Sequence, residues 1–133
     1  MVDRPFVVVI DDDASVCKAV QRLLKTAQMD VETYPSAGAF LHADPAHIPD
    51  CLVLDVRMPG ITGLELRDQL RDSGRQIPIV FITAHHEEIP PGRGPPGRGS
   101  SADVSEVLLK PFEDEVLLGA IWRATQRGRG GGP

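Results

Sequence analysis

Asp11, Asp12, Asp55, Thr83 and Lys110 are the residues whose types suit one reaction, although the chain separates them widely. Three carboxylates brought together repel one another unless a hard cation neutralises them. Mg²⁺ fits, because it takes oxygen ligands and usually combines one or two carboxylates with water and phosphate. A lysine ammonium adds a point charge for phosphoryl oxygens, and a threonine hydroxyl adds a donor. Together these are the parts needed to move a phosphoryl group onto a carboxylate.

For that chemistry the residues must meet, so the elements that carry them come next. Phe6-Val7-Val8-Val9-Ile10 is a β-branched run closed by Asp11-Asp12-Asp13, and it reads as a buried parallel strand. Cys51-Leu52-Val53-Leu54 runs into Asp55, and Pro59-Gly60 then forbids a continuing strand. Pro78-Ile79-Val80-Phe81-Ile82 ends at Thr83-Ala84, and Val104 to Leu109 ends at Lys110-Pro111. Val31 to Tyr34, polar at Glu32 and Thr33, reads as a shorter strand nearer an edge.

Helical patterns separate these strands. Val16, Ala19, Val20, Leu23, Leu24 and Ala27 make one apolar face, with Asp13 as cap. Ser36 to Leu41 is a short helix carrying Phe40 and Leu41 inward. Thr62-x-x-Glu65 matches a capping box, and Ser73-Gly74 stops the helix that follows. The last helix starts in Glu113-Asp114-Glu115 and buries Leu117, Ala120, Ile121 and Ala124. Strand and helix alternate, which predicts an α/β fold with a parallel sheet covered on both faces. Ligands bind beyond the carboxyl ends of such strands, where all of the named residues fall.

Between His85 and Asp103 the alternation breaks. Four prolines and four glycines from Pro90 to Gly99 exclude a helix there. Residues 90–101 are expected to form a flexible loop, and 126–133 a disordered Gly/Arg tail on a domain spanning 1–125. At 133 residues, 41% hydrophobic and 25% charged, the chain suits one domain. No apolar run is long enough to span a bilayer and Met1-Val2-Asp3-Arg4-Pro5 does not open like a secretory signal, so a cytoplasmic, membrane-free protein is expected. A net charge of −5 argues against direct nucleic-acid binding. Cys17 and Cys51 read as reduced cysteines near the core.

The acidic triplet after the first strand, Leu54-Asp55-Val56-Arg57-Met58-Pro59-Gly60, the Thr83-Ala84 ending and Leu109-Lys110-Pro111-Phe112 resemble the receiver domain of bacterial two-component response regulators. The resemblance covers about Phe6 to Arg123 except the Pro/Gly stretch. It implies a doubly wound, flavodoxin-like five-stranded sheet of order 2-1-3-4-5. It also implies a phosphoryl group accepted on Asp55 from a sensor histidine kinase, with Mg²⁺ required. Asp12, Asp55 and the backbone carbonyl of Arg57 would bind the metal directly, and Asp11 through water. Thr83 and Lys110 would hold the phosphoryl oxygens, and Arg57 and His85 would tune hydrolysis. On this reading the domain is not an enzyme, and any output comes from docking on a downstream effector protein or from a domain absent from this sequence.

Two departures from the family pattern shape the expectation. The helix between the fourth and fifth strands is largely written out. Val107 stands three positions before Lys110, where the family places an aromatic residue that swings when the threonine moves. A receiver-like interaction module that no longer switches on phosphorylation is therefore the alternative function. A dehalogenase-type Mg²⁺ hydrolase is disfavoured, because Arg57 stands where that chemistry wants an acid. His85-His86-Glu87-Glu88 reads as a solvated face and the Arg-Gly pairs as linker. The oligomeric state is not legible in the sequence.

Overall fold

A computed structural model describes residues 4–43, 48–75, 77–84 and 104–130. Five parallel strands form one sheet in the order β2-β1-β3-β4-β5. They are β1 (Phe6–Ile10), β2 (Asp30–Tyr34), β3 (Cys51–Asp55), β4 (Ile79–Thr83) and β5 (Val104–Leu109). The helices are α1 (Ala14–Thr26), α2 (Ala37–Ala43), α3 (Gly63–Asp72) and α4 (Asp114–Gly130).

Strand periodicity sorts the core into two layers. Val7 and Val9 of β1 with Val53, Val80 and Ile82 meet α1 and α4 through Val20, Leu24, Leu117 and Ile121. Val8 and Ile10 with Leu52, Leu54, Ile79 and Phe81 meet α2 and α3 through Phe40, Leu66 and Leu70. β3 and β4 are buried along their whole length, which explains their unbroken apolar sequence. β2 and β5 form the edges, and β2 is only half-buried. The chain moves from β1 to β2 on one side and then to β3 on the other, so the order reverses between β1 and β3. Asp11 and Asp55 follow those two strands.

Several boundaries and faces differ from the sequence expectation. β2 begins at Asp30 and β4 at Ile79, and α2 continues to Ala43. In α1 the buried residues are Cys17, Val20 and Leu24, while Ala19 is exposed and Val16 and Leu23 are half-buried. The apolar stripe of α1 is therefore wider than the face the sheet covers. α4 continues to Gly130, where a tail from Gln126 was expected. Glycine weakens a helix by about 1 kcal/mol per residue without forbidding it, and the intervening Gln and Arg favour it. The expected missing helix and flexible loop fall within 85–103, and the last tail residues within 131–133, outside the described residues.

Candidate functional site

Each acidic residue is presented by a strand end that its own surroundings fix. Asp11 follows β1, and its N–H donates to the Tyr34 carbonyl at 3.2 Å. Its Oδ1 accepts from the Asp13 N–H at 2.9 Å, and its carbonyl accepts from the Cys17 thiol at 3.3 Å. Asp13 is the N-cap of α1, taking the Ser15 and Val16 N–H groups, so one short turn holds Asp11 inward and leaves Asp12 exposed.

Asp55 is the last residue of β3, paired in register with Ile82, and is 5% exposed. Its Oδ1 accepts from the Arg57 N–H at 3.2 Å. The loop beyond it is pinned by the buried side chains of Val56 and Met58, while Arg57 and Pro59 face solvent. Gly60 takes a φ of +79°, and α3 then starts on the complete Thr62/Glu65 capping box that the sequence predicts.

Asp11, Asp12 and Asp55 each offer a carboxylate oxygen, all within 4.8 Å of one another. At that spacing two charges repel by about 3 kcal/mol for an effective dielectric of about 20. Burial and the Asp11 charge push the Asp55 pKa up to about 6, against the pull of Lys110 and the Arg57 N–H. The Lys110 ammonium bridges the two buried acids, 3.0 Å from Asp11 Oδ2 and 3.4 Å from Asp55 Oδ2. Burial works against its charge, but the hydrogen bonds and charges of Asp11 and Asp55 prevail and hold its pKa above the ordinary value.

Lys110 reaches this point because the β4–β5 ladder continues past the last strand pair, its N–H donating to the Thr83 carbonyl at 2.8 Å. Thr83, the last residue of β4, is fully buried beside it. The Lys110-Pro111 bond is cis. The five residues scattered in the sequence thus converge on one rim. Three oxygen-donor groups of one sign, two of them buried, fit a small hard divalent cation. Cys17, whose thiol supports the Asp11 carbonyl, is a contributor that the sequence reading places only near the core. The sole sequence signal for it is its position six residues after Asp11 on the helix that follows.

Residues 7–122 match the response regulator receiver domain family. Among curated relatives, the response regulator protein TodT of Pseudomonas putida is 39% identical over 122 residues, covering 91% of this chain and 52% of the relative. The transcriptional regulatory protein FixJ of Azorhizobium caulinodans is 35% identical over 125 residues, covering 91% of this chain and 57% of the relative. The chain therefore spans about half the length of the curated relatives it matches. Among solved structures, FixJ-N superposes with a TM-score of 0.76 at 33% identity, covering 95% of this chain and 96% of that one. The response regulator StyR gives 0.77 at 40% identity, covering 96% of this chain and 62% of that one. With motif order, sheet order and relatives in agreement, the chain belongs to the response regulator receiver domain family.

Proposed function

We propose that this receiver domain is a phosphoacceptor in which Asp55 takes a phosphoryl group from the phosphohistidine of a sensor kinase. The observation that carries the reading is the single ammonium, Lys110, poised between two buried carboxylates at the end of adjacent strands. An oxygen of Asp55 attacks phosphorus, the P–N bond breaks, and its electron pair stays on the imidazole, leaving an acyl phosphate on Asp55. Mg²⁺ would be held by Asp12, Asp55 and the Arg57 carbonyl, with Asp11 acting through water, and would supply the positive charge that lets an anionic phosphoryl group approach anionic groups. Lys110 exchanges its contact with Asp55 Oδ2 for a phosphoryl oxygen, and the Thr83 hydroxyl donates to another. The domain is modified once per donor and turns over no substrate of its own. Its partners are the kinase and a downstream effector. Among the described residues no helix is long and apolar enough to cross a membrane.

Acetyl phosphate tests the chemistry without a kinase. Labelling is expected with Mg²⁺, to vanish on chelation, and to vanish in Asp55→Ala. Undiminished labelling of Asp55→Ala would refute the assignment of the acceptor.

A second reading, a receiver that accepts phosphate without switching, is favoured by Val107. It is an aliphatic residue, 36% exposed, on the edge strand that leads to Lys110.

A further inference from the structure

Gly63, the first residue of α3, has no φ in the left-handed region, so its lack of a side chain answers a need for space. A Cβ at this position would lie 2.3 Å from the Asp55 carbonyl oxygen and 3.1 Å from both the Asp55 carbonyl carbon and Val56 Cα. All three neighbours are backbone, so no flexible side chain can yield. That backbone is itself held on both sides: the Val56 N–H donates to the Ile82 carbonyl at 3.0 Å, and the Gly63 N–H donates to the Val56 carbonyl at 2.9 Å. Gly60 and Gly74 differ in kind. Their φ values of +79° and +84° demand glycine by conformation, and nothing stands within 4 Å of a Cβ added at either.

We infer that Gly63 is a positioning residue for the phosphoacceptor. Its bare Cα lets the first turn of α3 seat directly on the Asp55 and Val56 backbone, and this contact sets where the Asp55 carboxylate stands relative to Lys110 and Asp11. A methyl group there must move either α3 or the end of β3. Two contacts of the carboxylate, Oδ1 with the Arg57 N–H and Oδ2 with Lys110, depend on where that backbone stands. In-line transfer tolerates misplacement poorly, a shift of about 1 Å costing on the order of 100-fold in rate.

The inference rests on the phosphoacceptor reading, and the experiment separates the two. Wild type, Gly63→Ala and Gly74→Ala are compared at a temperature where far-UV circular dichroism shows each folded. The measurements are Tm, the Mg²⁺ dissociation constant and the rate of labelling by acetyl phosphate. Gly74→Ala is the control, because it strains the far end of α3 without touching Asp55. Gly63→Ala is expected to label at least about tenfold more slowly and to bind Mg²⁺ about tenfold more weakly, while Gly74→Ala stays within about twofold of wild type in both. Folded Gly63→Ala labelling at the wild-type rate overturns the positioning role, as does an equal slowing of both variants. Should Gly63→Ala leave no folded population, the wild-type chain carries the test by NMR. Beryllofluoride with Mg²⁺ must then shift the Gly63 amide and leave Gly74 in place, and an unmoved Gly63 overturns the inference. A wild-type chain that takes no label sinks the phosphoacceptor reading instead.

Discussion

Asp55 is 5% exposed and shares its surroundings with Asp11, and both facts favour its protonated form. With the pKa pushed up to about 6 from an ordinary value of 3.8, the folded chain holds this proton more tightly than the unfolded one. A group shifted in this direction does not penalise folding below about pH 4, where both states are protonated. The penalty grows as pH rises to about 6 and is constant above it, since the folded carboxylate is then ionised as well. Replacement by Asn removes that titration while keeping the shape. Asp55→Asn is therefore expected to match wild type in Tm near pH 4, apart from an offset, and to gain on it between pH 4 and 6. The gain should reach on the order of 1–2 kcal/mol after allowance for solvent screening. Mg²⁺ should stabilise wild type more than the variant at pH 7, because the ion favours the ionised carboxylate. A Tm difference that stays flat from pH 4 to 7 would show that burial and Asp11 do not shift this group.

β5 is the element where family pattern and sequence part. Its alternation turns Leu108 toward α1 and α4, joining the cluster that Phe112 also borders, and leaves Val107 and Leu109 substantially exposed. An aromatic ring that moves between inward and outward positions gives an edge strand two states. The isopropyl group of Val107 has little to move, and its χ1 is stiff. Beryllofluoride with Mg²⁺ is thus expected to shift amide resonances at Asp55, Thr83 and Lys110 while leaving Glu106 to Leu109 nearly unmoved. Large shifts along β5 would show that switching survives by another route. Much of this layer was legible beforehand. Strands buried on both faces must be continuous apolar runs, so β1, β3 and β4 announce themselves with the acids and Thr83 at their ends, while Lys110 follows the edge strand β5. Thr62 and Glu65 announce α3 because a capping box is a local device. Distances across the fold leave no such mark. The two-way contact of Lys110 depends on the β4–β5 register, and the need for a bare Cα at Gly63 depends on how closely α3 approaches β3. The exposure of Ala19 likewise depends on how far the sheet and α4 cover α1.

At the scale of the molecule, the wide apolar stripe of α1 borders a groove beside the acidic rim. Val16, Ala19, Val20 and Leu23 line a groove of about 470 Å³ with Lys110, Pro111, Phe112 and Asp114. Lys110 belongs both to this groove and to the acidic rim, so a protein bound along α1 arrives beside Asp55. A small phosphodonor needs no such surface, whereas a kinase must hold its phosphohistidine in line with the acceptor, and apolar contact on a half-buried helix can supply the hold. A substitution in the groove can therefore tell the two donors apart. Leu23 is only half-buried, so a charge there reaches solvent at modest cost to the fold but spoils an apolar interface. Leu23→Asp is expected to lose about 1 kcal/mol of stability or less. Acetyl phosphate should label it at a rate within about twofold of wild type. Phosphotransfer from the cognate kinase should fall by at least about tenfold, as expected when a contact worth over 1 kcal/mol is lost at an interface centre. Equal loss with both donors would mean that the substitution disturbs the acidic rim itself. Undiminished transfer from the kinase would place its docking surface elsewhere on the domain.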